Sequence, residues 1–366
     1  MNFKSAFNIL FVFALFNCSP SGGSGKTIDF EKEITMKYAK GLAMYKTTDG
    51  TVVTISNPQT NEVLDHFLVT EKENSKLSTI KVIKSKFNSI LAYSSTYISF
   101  LDALGEADKV TGVSYSQGIR NPLIKERLEA KQTIDVGSDQ SPDKELILSL
   151  KPDLAMIYPA NGNHDWFKSF DVPTITNVEY LEIHPLAQAE WIKLYGVLFN
   201  KLEKSQAIFD SLEMNYNGEK CYKDTEKPVV LCGELYDDVW TLPGGRSFTS
   251  KLIEDAGGEY FYTSDTSSGS KKLDFEYILA KDSAINYWLL LTYNQQSVTY
   301  SYLKENKPRY SYLSVFKSKN IGICNTATSP YFEEGILEPH ILLREIKWLI
   351  HNEQPKDSLK YFKGLE

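Results

Sequence analysis

The chain has 366 residues, 42% of them hydrophobic and 24% charged, with a net charge of −7 and four cysteines. That length allows two compact lobes with cores of their own. The acidic balance, with no basic stripe, excludes a nucleic-acid binder, and four cysteines are too few for a disulfide framework.

Met1 to Phe16 carries Lys4 and then an apolar run from Ala6, broken only by Asn8. Spanning a bilayer takes about 20 apolar residues, so this shorter run reads as a secretory signal, and no later stretch is long and apolar enough to be transmembrane. Ser19 to Gly25 reads as a flexible tether, extending to residue 35. Residues 36–78 form a small β appendage: Leu42 to Tyr45, Val52 to Ile55 and Leu64 to Val69 are strand-like, with turns at Asp49-Gly50 and Asn57-Pro58.

A first α/β lobe spans 79–182. Strands are expected at Ser89 to Tyr93, Val110 to Val113, Gln132 to Val136 and Leu154 to Tyr158. Between them lie helices over Tyr97 to Leu104, stopping at Gly105, over Pro122 to Ala130, and from Ser141-Pro142-Asp143 to Leu150. Such alternation implies a mostly parallel sheet covered on both faces. Residues 183–217 carry helical periodicity from Pro185 to Tyr216, with apolar positions mostly three or four apart. One continuous helix of about 30 residues, some 45 Å long, is expected there.

The second lobe, 218–366, repeats the plan. Val229 to Cys232 and Ile285 to Leu291 read as strands, Phe248 to Ala256 as a helix stopping at Gly257-Gly258, and Leu342 to Ile350 as a closing helix. Two short matches occur in the same order in both lobes: Ser95 with Leu101 to Gly105 against Ser247 with Ile253 to Gly257, and Asp143 to Leu148 against Asp274 to Leu279.

These residues resemble a known family, the extracytoplasmic solute-binding proteins of ABC importers for iron-siderophore complexes, haem and cobalamin. The resemblance covers roughly Lys81 to Glu353. It rests on Asn88 to Val113, on Val136-Gly137 through Leu150-Lys151-Pro152-Asp153-Leu154, on Pro243-Gly244-Gly245 through Gly257-Gly258, and on the closing helix. The segment Tyr38-Ala39-Lys40-Gly41 before the first lobe looks like versions of this family from Bacteroidota. The resemblance implies a class III periplasmic-binding-protein fold: two Rossmann-like lobes joined by a single long α-helix, with the ligand cleft between them. It also implies a permease and its ATPase as partners and a metal complex as ligand, with no resident cofactor and a monomeric chain. Cys18, after Leu15-Phe16-Asn17, resembles the acylated cysteine of a lipobox, although Asn17 stands where that pattern has a small residue. An exported, membrane-anchored periplasmic lipoprotein follows.

Loops at the carboxyl ends of parallel strands line the crevice of open α/β sheets. Ser94, Ser95 and Thr96 join a strand end to a helix start, where free N–H groups and hydroxyls face a ligand or simply cap the helix. Tyr115 and Tyr158 follow two further strands. Trp166 closes the polar loop Asn161-Gly162-Asn163-His164-Asp165 and either covers a flat chelate or anchors the loop. In the second lobe Trp240, Gly244, Gly245, Arg246 and Ser247 are candidates: glycines for close backbone approach, Arg246 as a bidentate donor to an anionic group. Tyr293 and Asn294 complete the rim. Glu145 and Glu276 occupy first helical turns, where the helix dipole favours negative charge; the resemblance implies that they dock onto permease arginines.

No Gly-x-Ser-x-Gly elbow, phosphate loop, HExxH pair or GxGxxG order is present, so an enzyme is not expected. His66, His164, His184, His340 and His351 are too scattered for a zinc or manganese site. An iron-siderophore complex is the expected ligand, cobalamin or haem the alternative, and a surface lipoprotein outside transport the remaining reading. Pairing among Cys221, Cys232 and Cys324 stays open.

Overall fold

The computed structural model describes residues 30–72, 80–138, 141–159, 165–221, 227–353 and 358–366. The apolar leader, Cys18, the tether through residue 29 and residues 161–164 of the polar loop lie outside the described residues.

Uninterrupted apolar runs put parallel strands at the centre of each lobe, because only a sheet covered on both faces buries every side chain of a strand. Ile90–Ala92 and Leu154–Ile157 are buried at every position. In the N-terminal lobe five parallel strands lie in the order Thr174–Thr176, Leu154–Ile157, Ile90–Ala92, Val110–Val113, Ile134–Asp135. In the C-terminal lobe Glu259–Tyr260, Val229–Cys232, Tyr287–Thr292 and Ile321–Asn325 are parallel, and Lys363–Gly364 closes the edge antiparallel. Gly105 at φ 74° and Gly257 at φ 84° supply the left-handed positions expected to end the helices before them. The caps correct the expected repeat by one residue. Ser94, not Ser95, caps Ser95–Leu104, whereas Ser247 caps Phe248–Asp255.

The appendage is larger than residues 36–78. It is a five-stranded sheet from Phe30–Ile34 to Lys81–Lys84, whose last strand pairs parallel with Val63–Thr70. Its attachment is unusual in being made through buried carboxylates. Glu190 accepts the backbone N–H groups of Lys37 (2.9 Å), Tyr38 (2.7 Å) and Ala39 (2.9 Å) and pairs with the Lys193 ammonium at 2.6 Å. Glu182 accepts those of Lys40 and Gly41, each at 2.8 Å, and the Trp191 indole N–H at 3.3 Å. At the other end of the chain Glu345 takes the N–H groups of Lys360, Tyr361 and Phe362 in the same way.

The expected 30-residue helix is corrected to three: Pro185–Glu190, Ile192–Leu198 and Leu202–Glu219. Asn200 turns the chain at φ 54°, and asparagine is among the few residues that tolerate this conformation. The last helix then folds back on the second, and a Cβ at Gly196 would lie 2.0 Å from the Ser205 hydroxyl. Leu202–Glu219 is the connection between lobes. Near its start Lys201 donates to the Leu104 carbonyl at 2.8 Å, and near its end Tyr216 donates to Asp255 at 2.8 Å. Apolar positions run on through all three helices, the second of which is buried at every position.

His184 caps the first of these helices by accepting the Leu186 N–H at 3.0 Å, and burial pushes its pKa down to about 4. It is a neutral structural histidine rather than a metal ligand. Cys221, Cys232 and Cys324 are unpaired. Cys232 and Cys324 lie on strands separated by Tyr287–Thr292, a lateral gap of about 10 Å that no disulfide spans.

Removing one partner of a buried ion pair leaves the other charge uncompensated. Glu190→Ala, which strands Lys193 and three N–H groups, is therefore expected to cost about 3–5 kcal/mol of stability in urea titrations. A loss below about 1 kcal/mol would show that the sheet is held by other means.

Candidate functional site

Sheet topology, not sequence proximity, assembles the site. The chain leaves the carboxyl ends of three parallel strands at Tyr93, Ser114 and Tyr158, and these residues surround a cavity of about 400 Å³ together with Ser95, Tyr115, Gly118 and Ser138, the last in a short antiparallel pair after the strand Ile134–Asp135. Three of the expected residues, Ser95, Tyr115 and Tyr158, are thus brought together. Tyr115 sits at φ 55°, a conformation uncommon for a bulky residue and one that persists only where neighbours enforce it. Here the enforcing bonds are Tyr115 N–H to the Gly137 carbonyl at 3.3 Å, Ser114 Oγ to the same carbonyl at 3.0 Å, and Ser116 N–H to Asp135 at 2.9 Å.

The turn aims the Tyr115 ring out of its own lobe. Its hydroxyl meets that of Tyr293 from the C-terminal lobe, and this hydrogen bond is the main reason its pKa is raised. Both rings are about half exposed, at 52% and 49%. Two expected residues from different lobes therefore meet.

A second cavity, of about 350 Å³, lies between the lobes. Thr96, Glu179, Tyr180 and Gln188 border it from one side, and Pro243, Ser247, Phe248, Thr249, Ser268, Ser270 and Leu291 border it from the other. The N-termini of helices Ser95–Leu104 and Phe248–Asp255 face it through Thr96 and Ser247. Thr96 is also a lobe-to-lobe contact, donating to the Phe332 carbonyl at 3.0 Å, while Ser99 donates to that of Glu333. Ser94 is engaged as the helix cap, accepting the Thr96 N–H at 3.3 Å.

Glu179 was not among the expected residues, and it is the only acid or base bordering the two cavities among the described residues. It is 3% exposed, and its Oε2 has no hydrogen-bond partner. Desolvation pushes its pKa up to about 7. The buried phenols of Tyr97 and Tyr195 feel its charge, which adds to the burial that raises their own pKa values. Sequence offered no signal, since a glutamate between Val178 and Tyr180 reads as a solvated turn.

Three expectations are corrected, and Trp166 takes the second of its two alternatives. Trp240 belongs to a strand, Val239–Pro243, not to a loop, and is 0% exposed. Its indole donates to the Cys232 carbonyl at 2.8 Å, and its ring packs among Trp288, Tyr310 and Phe275. Gly245 is required by its own chain, because a Cβ there would lie 2.1 Å from the Asp265 carbonyl oxygen. Arg246 is exposed and borders a different pocket, beside Lys251, Glu254 and Glu259, so it offers no donor to the interlobe cavity. Trp166 stacks on Phe167 at 3.9 Å with the Lys144 ammonium over its ring, anchoring the loop to the lobe.

Asn294 is occupied within its loop, donating to Tyr302 at 2.7 Å and accepting from Gln296. Glu145 and Glu276 both stand exposed in first helical turns, the latter paired with Arg309 at 2.5 Å.

Two α/β lobes, a helical connection and a cavity bordered from both sides define a solute receptor. The family model for periplasmic binding proteins matches residues 90–325, and the chain belongs to that family. It is 24% identical over 371 aligned positions to an uncharacterized lipoprotein of Methanocaldococcus jannaschii, covering 91% of this chain and 86% of that one. Among solved structures it is similar to a periplasmic heme binding protein from Pseudomonas aeruginosa, with a TM-score of 0.60, 14% identity and coverage of 77% and 99%. It is also similar to the catecholate-siderophore binding protein of Vibrio cholerae, with a TM-score of 0.57, 18% identity and coverage of 72% and 95%. At these identities the likeness concerns the fold, and the ligand must be argued from the site.

Two measurements follow. Because the folded carboxyl of Glu179 holds its proton up to about pH 7 and the unfolded one only to about 4.5, its stabilising contribution is complete below pH 4.5 and is lost as pH rises to 7. Glu179→Gln is expected to remove a pH-dependent loss on the order of 3 kcal/mol between pH 5 and 8, read by urea unfolding at both values. Trp240→Ala is expected to cost about 3–5 kcal/mol of stability. A folded variant of unchanged stability would return Trp240 to the list of ligand residues.

Proposed function

We propose that this protein captures an iron-siderophore-type metal chelate between its lobes and delivers it to an ABC importer. A corrinoid or haem is the alternative ligand of the same receptor. Tyr115 of one lobe meets Tyr293 of the other, and the observation that carries the reading is the separate cavity whose walls come from both lobes. A ligand held there touches both halves at once. Aromatic rings suit the flat or globular surface of a chelate, and the hydroxyls of Thr96, Ser247 and Thr249 suit its oxygen-rich periphery.

The exposed Glu145 and Glu276, one on each lobe, are assigned to the permease. Rim charges of this kind set orientation and association rate more than affinity. Acylation at Cys18 and the tether after it would hold the receptor at the membrane surface.

The direct test is intrinsic tryptophan fluorescence of the chain from Lys26 onward, titrated with ferric siderophores, haemin and cyanocobalamin and corrected for absorption. Saturable quenching by a ferric siderophore at submicromolar concentration is expected; no response to any of them would sink the receptor reading. In cells, Glu145→Arg with Glu276→Arg is expected to abolish uptake while ligand affinity in vitro stays unchanged. Unaltered uptake would remove the docking assignment.

A further inference from the structure

From the charge inventory of the cleft we infer that its ligand is a chelate with an uncharged metal-binding core and a cationic arm, and that Glu179 receives the arm. This deepens the proposed function and rests on it.

Buried polar atoms are almost always hydrogen-bonded, and a carboxylate taken out of water without a partner is costly. Glu179 breaks this rule: it is 3% exposed, lines the interlobe cavity and leaves Oε2 unpartnered. The groups facing it are phenols, Tyr97 and Tyr195 from adjoining helices and Tyr180 beside it, and its pKa shows the pull of no cation among the described residues. The rest of the cavity wall is hydroxyl, amide or apolar. Once the carboxyl is ionised, a donor for Oε2 therefore has to arrive with the ligand, and an ammonium is the donor that a buried carboxylate binds best and that favours its ionised form.

The same inventory speaks against anionic chelates. No lysine, arginine or histidine borders either cavity among the described residues. Arg120, which is near enough for its charge to be felt at Tyr115, has its guanidinium committed to the carbonyls of Gln117, Ile119 and Ala327. A ferric tricatecholate is trianionic and haem carries two propionates; inserted beside Glu179, either would add like charge with no compensating cation. A ferric trihydroxamate core is neutral and adds none.

Isothermal titration separates the possibilities with three probes. They are ferrioxamine B, a neutral trihydroxamate with a terminal ammonium, its N-acetyl derivative, and ferric enterobactin, a tricatecholate. The wild type is expected to bind ferrioxamine B at least tenfold more tightly than the acetylated form, and the tricatecholate most weakly. Glu179→Gln is expected to bring the first two affinities together without weakening the acetylated one. Tightest binding of the tricatecholate, or discrimination that survives Glu179→Gln, would overturn the inference and leave the receptor reading intact. Binding of haemin or cyanocobalamin alone would do the same. A wild type that binds none of the five would overturn both. The wild-type ranking stands as a test even if the variant does not fold.

Discussion

The architecture depends on a repeated bond: a buried carboxylate accepting consecutive backbone N–H groups from a distant segment. Glu190 and Glu182 hold residues 37–41, and Glu345 holds 360–362. Burying a charge is expensive, and only several good hydrogen bonds to its oxygens offset the cost. Both Glu182 and Glu190 lie where the N-terminal lobe passes into the connecting helices, so the appended sheet is fixed to the joint between lobes and not merely to one of them.

That attachment bears on the cleft. The lobes already touch through Thr96 and Ser99, which donate to the backbone of Tyr331–Glu334, and through Arg120, whose N–H donates to Glu333 at 2.9 Å. The turn of the appended sheet adds a further bridge, with Gln59 reaching both the Leu181 carbonyl and the Ser268 hydroxyl. Ser268 borders the interlobe cavity. The appended sheet thus holds a residue of the cavity wall in place without lining the cavity itself.

Much of the site was legible because strand topology determines it. Once Ile90–Ala92, Val110–Val113 and Leu154–Ile157 are parallel neighbours, Ser95, Tyr115 and Tyr158 must emerge at one end of the sheet whatever their side chains do. What escaped the sequence is what long-range pairing decides. Trp240 looks the same in a site as in a core, and its burial comes from strand Val239–Pro243 pairing with Ser270–Asp274 some thirty positions on. Gly244 and Gly245 signal close approach, but the partner is their own loop and not a ligand. Asn200 did carry a signal for the helix break, its tolerance of positive φ, which the unbroken apolar period masked. Glu179 carried none.

The cysteines have a consequence for biogenesis. Cys232 and Cys324 are buried on two strands of the C-terminal sheet with one strand between them, and desolvation raises both thiols, that of Cys324 to about 12. Thiol exchange proceeds through the thiolate, so once folded neither sulfur takes part in it. The described part of the lobe is held by packing and hydrogen bonds with no disulfide among its three cysteines, so its maturation calls for neither an oxidase nor a disulfide isomerase.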